Sequence, residues 1–536
     1  MRNALKKLIY KMKKTLVIFF VIAGLVSQAQ NTKDEFDKRN TYMNSITVQE
    51  LKEHLYILSA DEFEGRETSK PGQKKAAAFL ENYYESLGLE KGSMTGVQQQ
   101  SFPLRKRKLT STILTVNGKN YESSKDIFSL DAEGLEGTKT FSKIVFAGYG
   151  ISEGRYNDYA GLDVKDALVV VMDGEPKSKK GKSFISGNSD QLSDWSYDPG
   201  LKVALAQQNG AKAIVVVRRD YATFLPRIKF WLESEKMELI EDVDVSVATG
   251  IPLIFTNEKS ANEWFNLDIV KTAGVGTNKK IKSKNVKTVN TPVSLTVSVT
   301  DEIVSSENVL AFIEGSDASL KNEIVVVSAH YDHIGIVNGE INNGADDDGS
   351  GTVSAMEIAE AFIQAKKDGN GPKRSILILH VSGEEKGLFG SDYYTRHPVY
   401  PLANTVCDLN IDMIGRVDEA HKDNEKYVYL IGSDRLSMDL HTISEEVNKQ
   451  TSNLSLDYTF NAEDDPNQFY YRSDHYNFAK NNIPVIFYFS GVHEDYHKPG
   501  DDPEKILYVK MCSIAQLVFS TAWEIANAPT RIKLKN

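Results

Sequence analysis

Five short segments in the C-terminal part of the chain carry side chains able to hold metal ions. They are Ser-Ala-His330-Tyr-Asp332-His333, Gly-Ala-Asp346-Asp347-Asp348-Gly-Ser-Gly, Ser-Gly-Glu384-Glu385-Lys-Gly, Asn-Ile-Asp412-Met and Asp495-Tyr496-His497-Lys-Pro-Gly-Asp501. Imidazoles mixed with carboxylates are the donors that borderline-soft zinc takes in preference to calcium or magnesium. Such a set supports hydrolysis at a two-metal site, with one carboxylate left over for proton transfer.

Each segment also has a plainer explanation. His330 closes an apolar run, where a lone histidine is usually structural, but Asp332 two residues on is placed to hydrogen-bond its second ring nitrogen and fix its orientation. Asp346-Asp347-Asp348 reads equally as an acidic helix cap, yet three successive carboxylates repel unless cations or donors neutralise them. Glu384 and Glu385 are adjacent, so their side chains diverge: one can ligate while the other faces substrate as a base. Asp412 follows apolar residues in an expected strand, where an unpaired carboxylate is costly.

The elements that must position these groups form a repeating pattern. Continuous apolar strands are expected at 323–329, 375–381, 406–413 and 484–489, with an alanine-rich helix over 351–365. Such strands separated by helices imply an α/β fold with a mostly parallel, doubly wound sheet. The ligand-bearing segments fall at or beyond the strands' carboxyl ends, where open α/β sheets place their sites. Upstream, 45–92 reads as helix, turn, helix: Thr47 with Glu50 forms a capping box, and the second helix starts near Pro71. Between about 130 and 290 the pattern shifts to short strands and turns, such as Lys143-Ile-Val-Phe-Ala-Gly-Tyr-Gly, and reads as an inserted domain.

In motif order, over about 45–130 and 295–525, the chain resembles the secreted co-catalytic zinc aminopeptidases, related to glutamate carboxypeptidase and the transferrin receptor. Phe146-Ala-Gly-Tyr-Gly and Asp158-Tyr-Ala-Gly-Leu-Asp163 resemble the protease-associated domain that many members carry as an insert. The resemblance implies a sheet of the zinc-exopeptidase type with a β-rich insert, divided as 1–29 signal peptide, 30–130 N-terminal peptidase segment, 131–292 insert, 293–527 main peptidase segment and 528–536 tail. It implies two zinc ions bridged by Asp347, with His330 and Asp412 completing one site and Glu385 and His497 the other. Glu384 is then the general base and acid, Tyr496 polarises the scissile carbonyl, Asp332 and Asp501 support the ligands, and Arg472 holds substrate. The activity implied is removal of N-terminal residues from peptides. A carboxypeptidase or dipeptidase on the same scaffold is the alternative, and a non-catalytic binding protein is a more distant one.

Lys6, Lys7, Lys11, Lys13 and Lys14 precede an apolar run from Leu16 to Val26, followed by Ser27-Gln28-Ala29. This reads as a cleaved secretory signal, implying an exported protein, periplasmic or extracellular, with no stable membrane insertion after cleavage; a short N-terminal anchor is the alternative. The 536 residues, 41% of them apolar, suffice for several cored domains, and the net charge of -11 argues against a nucleic-acid partner. Peptides are the expected partners. Cys407 and Cys512, the chain's two cysteines, are expected as small core residues.

Overall fold

A computed structural model describes residues 36–129, 136–178, 180–240, 250–274 and 288–535. The leader read at 1–29 lies outside the described residues. The chain divides into two compact units, Met1–Pro103 with Val304–Asn536, and Leu104–Ile303.

In the first unit, α1 (Val48–Leu58) begins where Thr47 Oγ1 accepts the Glu50 N–H and donates to the Glu50 carboxylate, so the N-cap is formed but Glu50 takes the Thr47 hydroxyl and not the backbone N–H of a capping box. A tight turn, Asp61–Arg66, leads to α2 (Pro71–Ser86), which starts on proline, whose missing N–H is harmless in a first helical turn. In this turn Glu64, Gly65 and Arg66 all have positive φ. Gly65 is required there: a Cβ would sit 2.3 Å from the Asn342 carbonyl oxygen.

The main elements that follow are β1 (Ile324–His330), α3 (Gly351–Lys367), β2 (Ser375–Val381), α4 (Phe389–Arg396), β3 (Thr405–Ile411), β4 (Tyr427–Ile431), α5 (Met438–Gln450), β5 (Val485–Phe489) and α6 (Tyr508–Asn527). β1 pairs in parallel with β2 and with β3, and β3 in parallel with β5. β4 is antiparallel to β5, and residues 309–313 of the strand Thr288–Ile313 are antiparallel to β2. Every residue of β1, β2 and β3 is buried, as the uninterrupted apolar runs require of a sheet covered on both faces. Val325, Val327 and Ala329 face a core with Leu55, Leu80, Phe362 and Trp523; Val326 faces the opposite core, with Leu377, Tyr394 and Phe478. Cys407 and Cys512 are both buried and unbridged.

The second unit holds strands Gly137–Phe146, Leu168–Met172, Ala213–Arg218 and Leu253–Asn257, paired in parallel in that order. Helices Pro199–Gln208, Tyr221–Glu233 and Glu258–Phe265 accompany them. Residues 104–107 pair with 236–239 and residues 113–116 with 119–122, so the unit begins at 104, earlier than the change in sequence texture near 130.

Candidate metal centre

His330 is the last residue of β1, at the carboxyl edge of the sheet. Its Nδ1 lies 3.0 Å from the backbone carbonyl oxygen of Asp332, which leaves Nε2 facing Asp347 Oδ1 at 3.4 Å and Asp412 Oδ1 at 3.6 Å. The partner of the second ring nitrogen is therefore the Asp332 main chain and not its side chain, whose nearer oxygen is 3.9 Å away. The Asp332 carboxylate is held elsewhere: it accepts the Thr68 hydroxyl and the Glu384 N–H, and so supports the base candidate as well as the histidine.

The three aspartates before α3 separate by what they bind. Asp346 accepts the Gly415 N–H at 2.6 Å, and Asp348 accepts the Gly351 and Met413 N–H groups at 2.8 and 3.1 Å. Asp347 instead has its backbone N–H held by the Asp501 carboxylate at 3.1 Å, and its own carboxylate is turned toward the histidines. A run of like charges is thus resolved: backbone amides take two carboxylates and leave the third for a cation.

Glu384 and Glu385 follow β2 and diverge as adjacent residues should. Glu385 lies between two imidazoles, with Oε1 2.8 Å from His333 Nδ1 and Oε2 3.1 Å from His497 Nε2. His497 Nε2 also lies 3.2 Å from Asp347 Oδ2. Glu384 lines a pocket together with Asp347, Asp412, Arg472, Phe489 and Tyr496. Asp412 falls just beyond the end of β3 rather than within it, where its carboxylate is clear of the sheet's hydrogen bonds and accepts the Ser473 hydroxyl at 2.7 Å. Tyr496 stacks on the His497 ring, centroids 3.9 Å apart. Arg472 is exposed at the pocket edge, its guanidinium over the Phe469 ring.

All five ligand candidates are therefore brought together, and they fit a cation. His330 Nε2, both nitrogens of His333, Asp347 Oδ2 and Glu385 Oε1 are buried with no hydrogen-bond partner among the described residues. Buried donors left without hydrogen-bond partners this close together would be satisfied by divalent ions. At a 4.8 Å spacing, the donors group as His330, Glu384 and Asp412, and as His333, Asp347 and Glu385.

The electrostatics follow from the same crowding. Burial pushes the Asp347 carboxyl up, but His330, His497 and His333 outweigh it and hold it well below the usual carboxylate range. Burial raises the Glu384 carboxyl, with His330 opposing and Glu385 and Asp412 adding to the rise, so its pKa stands well above the ordinary value. A carboxyl group shifted upward in a pocket, beside carboxylates held ionised, is the pattern of a proton-transfer group among ligands.

Three contributors escape a reading by residue pattern. His333 stands in the first segment yet lacks the strand-end position that marks His330. Arg66, fully buried, donates to the carbonyls of Tyr331, Leu58, Asn343 and Gly344, tying the turn after α1 to the segments bearing His330 and Asp347. Ser473 links Asn410 to Asp412. Neither Arg66 nor Ser473 announces its role in residue type or spacing.

Residues 308–522 match the family model described as Peptidase family M28. A probable leucine aminopeptidase of Trichophyton verrucosum is 31% identical over 215 residues, 38% of this chain and 55% of that protein. A vacuolar membrane protease of Phaeosphaeria nodorum is 37% identical over 90 residues, 17% of this chain and 9% of that protein. The chain thus spans at most about half the length of these relatives. An aminopeptidase from Aneurinibacillus sp. strain AM-1 shares the fold, with a TM-score of 0.52 at 17% identity, covering 93% of this chain and 98% of that one.

The reading of an exported protein is corrected by these relatives, several of which are named vacuolar membrane proteases, a membrane location and not an exported one. The physical reason is that a basic run before an apolar stretch directs membrane insertion first, and its residue types do not fix whether the stretch is then cleaved or retained. Among the described residues, no helix is long and apolar enough to cross a membrane. Residues 308–522, which carry every ligand candidate, are the part of the chain that matches the model of peptidase family M28.

Proposed function

We propose that this chain is a zinc-dependent aminopeptidase holding two ions, with His330, Asp347 and Asp412 around one and Asp347, Glu385 and His497 around the other. The observation that carries the reading is the clustering of buried, unpartnered imidazole and carboxylate atoms around Asp347, which lines a pocket together with Glu384 and Asp412. When bound, zinc supplies Lewis acidity toward a peptide carbonyl and toward water. Glu384 takes the proton of the attacking water and delivers it to the departing amine, and its raised affinity for a proton suits both halves of that task. Tyr496 presents its hydroxyl to the carbonyl oxygen as negative charge develops there. Asp332 and Asp501 hold their neighbours through backbone N–H groups and keep the donors in place. The name of the Trichophyton relative and the acidic pocket floor, suited to a free ammonium group, both support the amino-terminal choice.

Arg472 supports the second reading: a guanidinium in the same pocket suits a terminal carboxylate and favours a carboxypeptidase. One peptide, supplied with a free and with an acetylated N-terminus, with and without chelator, separates them by product mass. Stepwise loss from the free N-terminus alone, abolished by chelator, supports the aminopeptidase. Cleavage from the C-terminus, or indifference to acetylation, selects the second reading.

The unit 104–303 is proposed to be a protease-associated domain, on the Phe146-Ala-Gly-Tyr-Gly and Asp158-Tyr-Ala-Gly-Leu-Asp163 phrases. Unchanged peptide preference in a folded enzyme lacking it would assign it a structural role only.

A further inference from the structure

His333 has no part in the ligand set or the proton transfer described above, yet it is built into the centre more firmly than a bystander would be. The residue is fully buried, and neither ring nitrogen has a hydrogen-bond partner among the described residues. Its N–H donates to the Arg66 carbonyl, and a Cβ on Gly344 would lie 2.5 Å from its Cγ, so the Gly344 backbone seats directly against the ring. Gly344 has φ +54°, a conformation that favours the one residue able to approach so closely. His475 is equally buried and unpartnered, but its ring stacks on Phe487, whereas His333 faces two carboxylates.

The spacing identifies what those groups share. His333 Nδ1 is 2.8 Å from Glu385 Oε1 and 3.7 Å from Asp347 Oδ2; His497 Nε2 is 3.1 Å from Glu385 Oε2 and 3.2 Å from Asp347 Oδ2. Donors around a four-coordinate zinc stand about 3.3 Å apart, given zinc–donor distances of roughly 2.0–2.1 Å. The two imidazoles approach edge to face, 71° between planes and 5.8 Å between centroids, and address the same pair of carboxylates. At 2.8 Å, Nδ1 and Oε1 stand somewhat closer than the edge of such a site.

From this geometry we infer that His333 Nδ1 is a fourth protein donor to the position formed by Asp347, Glu385 and His497. The inference rests on the metallopeptidase reading above and makes the two positions unequal. One is offered four protein donors, the number that closes structural zinc sites; the other, at His330, Asp347 and Asp412 with Glu384 left to proton transfer, is offered three and retains room for a reactant. The His333 position therefore keeps its ion longest under chelation, and the His330 position loses its ion first.

The test counts metal rather than turnover. The full chain, stripped by chelator, is titrated with zinc in metal buffers, bound zinc is measured by atomic emission, and the visible bands of the cobalt(II)-loaded protein are recorded. Wild type is expected to bind two equivalents of distinct affinity. His333→Ala is expected to weaken the tighter equivalent by more than the roughly 10- to 100-fold typical of losing a supporting contact, and to change its cobalt bands as a donor is lost. His333→Asn, which keeps a polar group in the space, carries the same test if the alanine variant does not fold by circular dichroism. Unchanged affinity in a folded variant overturns the inference. So does weakened binding with unaltered cobalt bands, which would make His333 a support for Glu385. Failure of the wild type to bind zinc would overturn the metallopeptidase reading itself.

Discussion

The carboxylate of Asp501 accepts the backbone N–H groups of Asp346, at 3.0 and 3.1 Å, and of Asp347, at 3.1 Å, across more than 150 residues of chain. The residue that closes the last ligand-bearing segment thus sets the orientation of the one aspartate placed between the two histidine groups. Asn at this position keeps one acceptor oxygen and turns an amide N–H₂ toward backbone donors. Asp501→Asn should therefore fold, while zinc affinity falls by about 10- to 100-fold. Zinc titration of the purified variant checks this; an affinity equal to wild type would separate Asp501 from the centre.

Arg66 makes a second prediction, about stability. Its guanidinium satisfies four buried carbonyls from three chain segments. Arg66→Met removes every one of those donors from a site closed to water, and the expected loss is about 3–5 kcal/mol, the range for breaking a buried charged network. Denaturant unfolding followed by circular dichroism measures it. A loss under about 1 kcal/mol would mean that the carbonyls find other donors.

The comparison of sequence with structure turns on what kind of contact does the positioning. Apolar runs such as Ile324–Ala329 and Ser375–Val381 state their burial on both faces in residue type alone, and strand ends then locate His330, Glu384 and Asp412 at one edge of the sheet. The Thr47–Glu50 cap was legible for the same reason, because its chemistry is local. Arg66, Ser473 and the Asp332 carbonyl were not legible, since they act over long separations in sequence or through main-chain atoms that every residue possesses. Residues 104–107 join the second unit by pairing with 236–239, and strand pairing leaves little mark on one strand alone.

Acid should destabilise the fold through two buried histidines outside the proposed ligand set. His380 and His475 are buried, and burial pushes each down to about 3, with Arg435 adding to the effect at His475. His380 Nε2 meets the Tyr84 hydroxyl at 2.6 Å, a contact a neutral ring can make. In the unfolded chain these groups take up protons near pH 6.5, whereas the folded chain resists doing so until about pH 3. Their contribution is thus complete above pH 6.5 and declines as pH falls toward 3, at up to about 1.4 kcal/mol per pH unit for each histidine. His380→Gln should flatten the stability profile between pH 6 and roughly 4 relative to wild type; an unaltered slope would show that His380 titrates normally in the fold.

The central claim is that Glu384 moves the proton while its neighbours hold metal. Glu384→Gln keeps the size and one acceptor oxygen but cannot take up a proton. Steady-state peptide hydrolysis and bound zinc, measured on the same preparation, test the claim most directly. The account predicts zinc content equal to wild type with kcat lower by on the order of 10²–10⁴-fold, the range for loss of a general acid–base group. Turnover within a few-fold of wild type at full zinc content would contradict it.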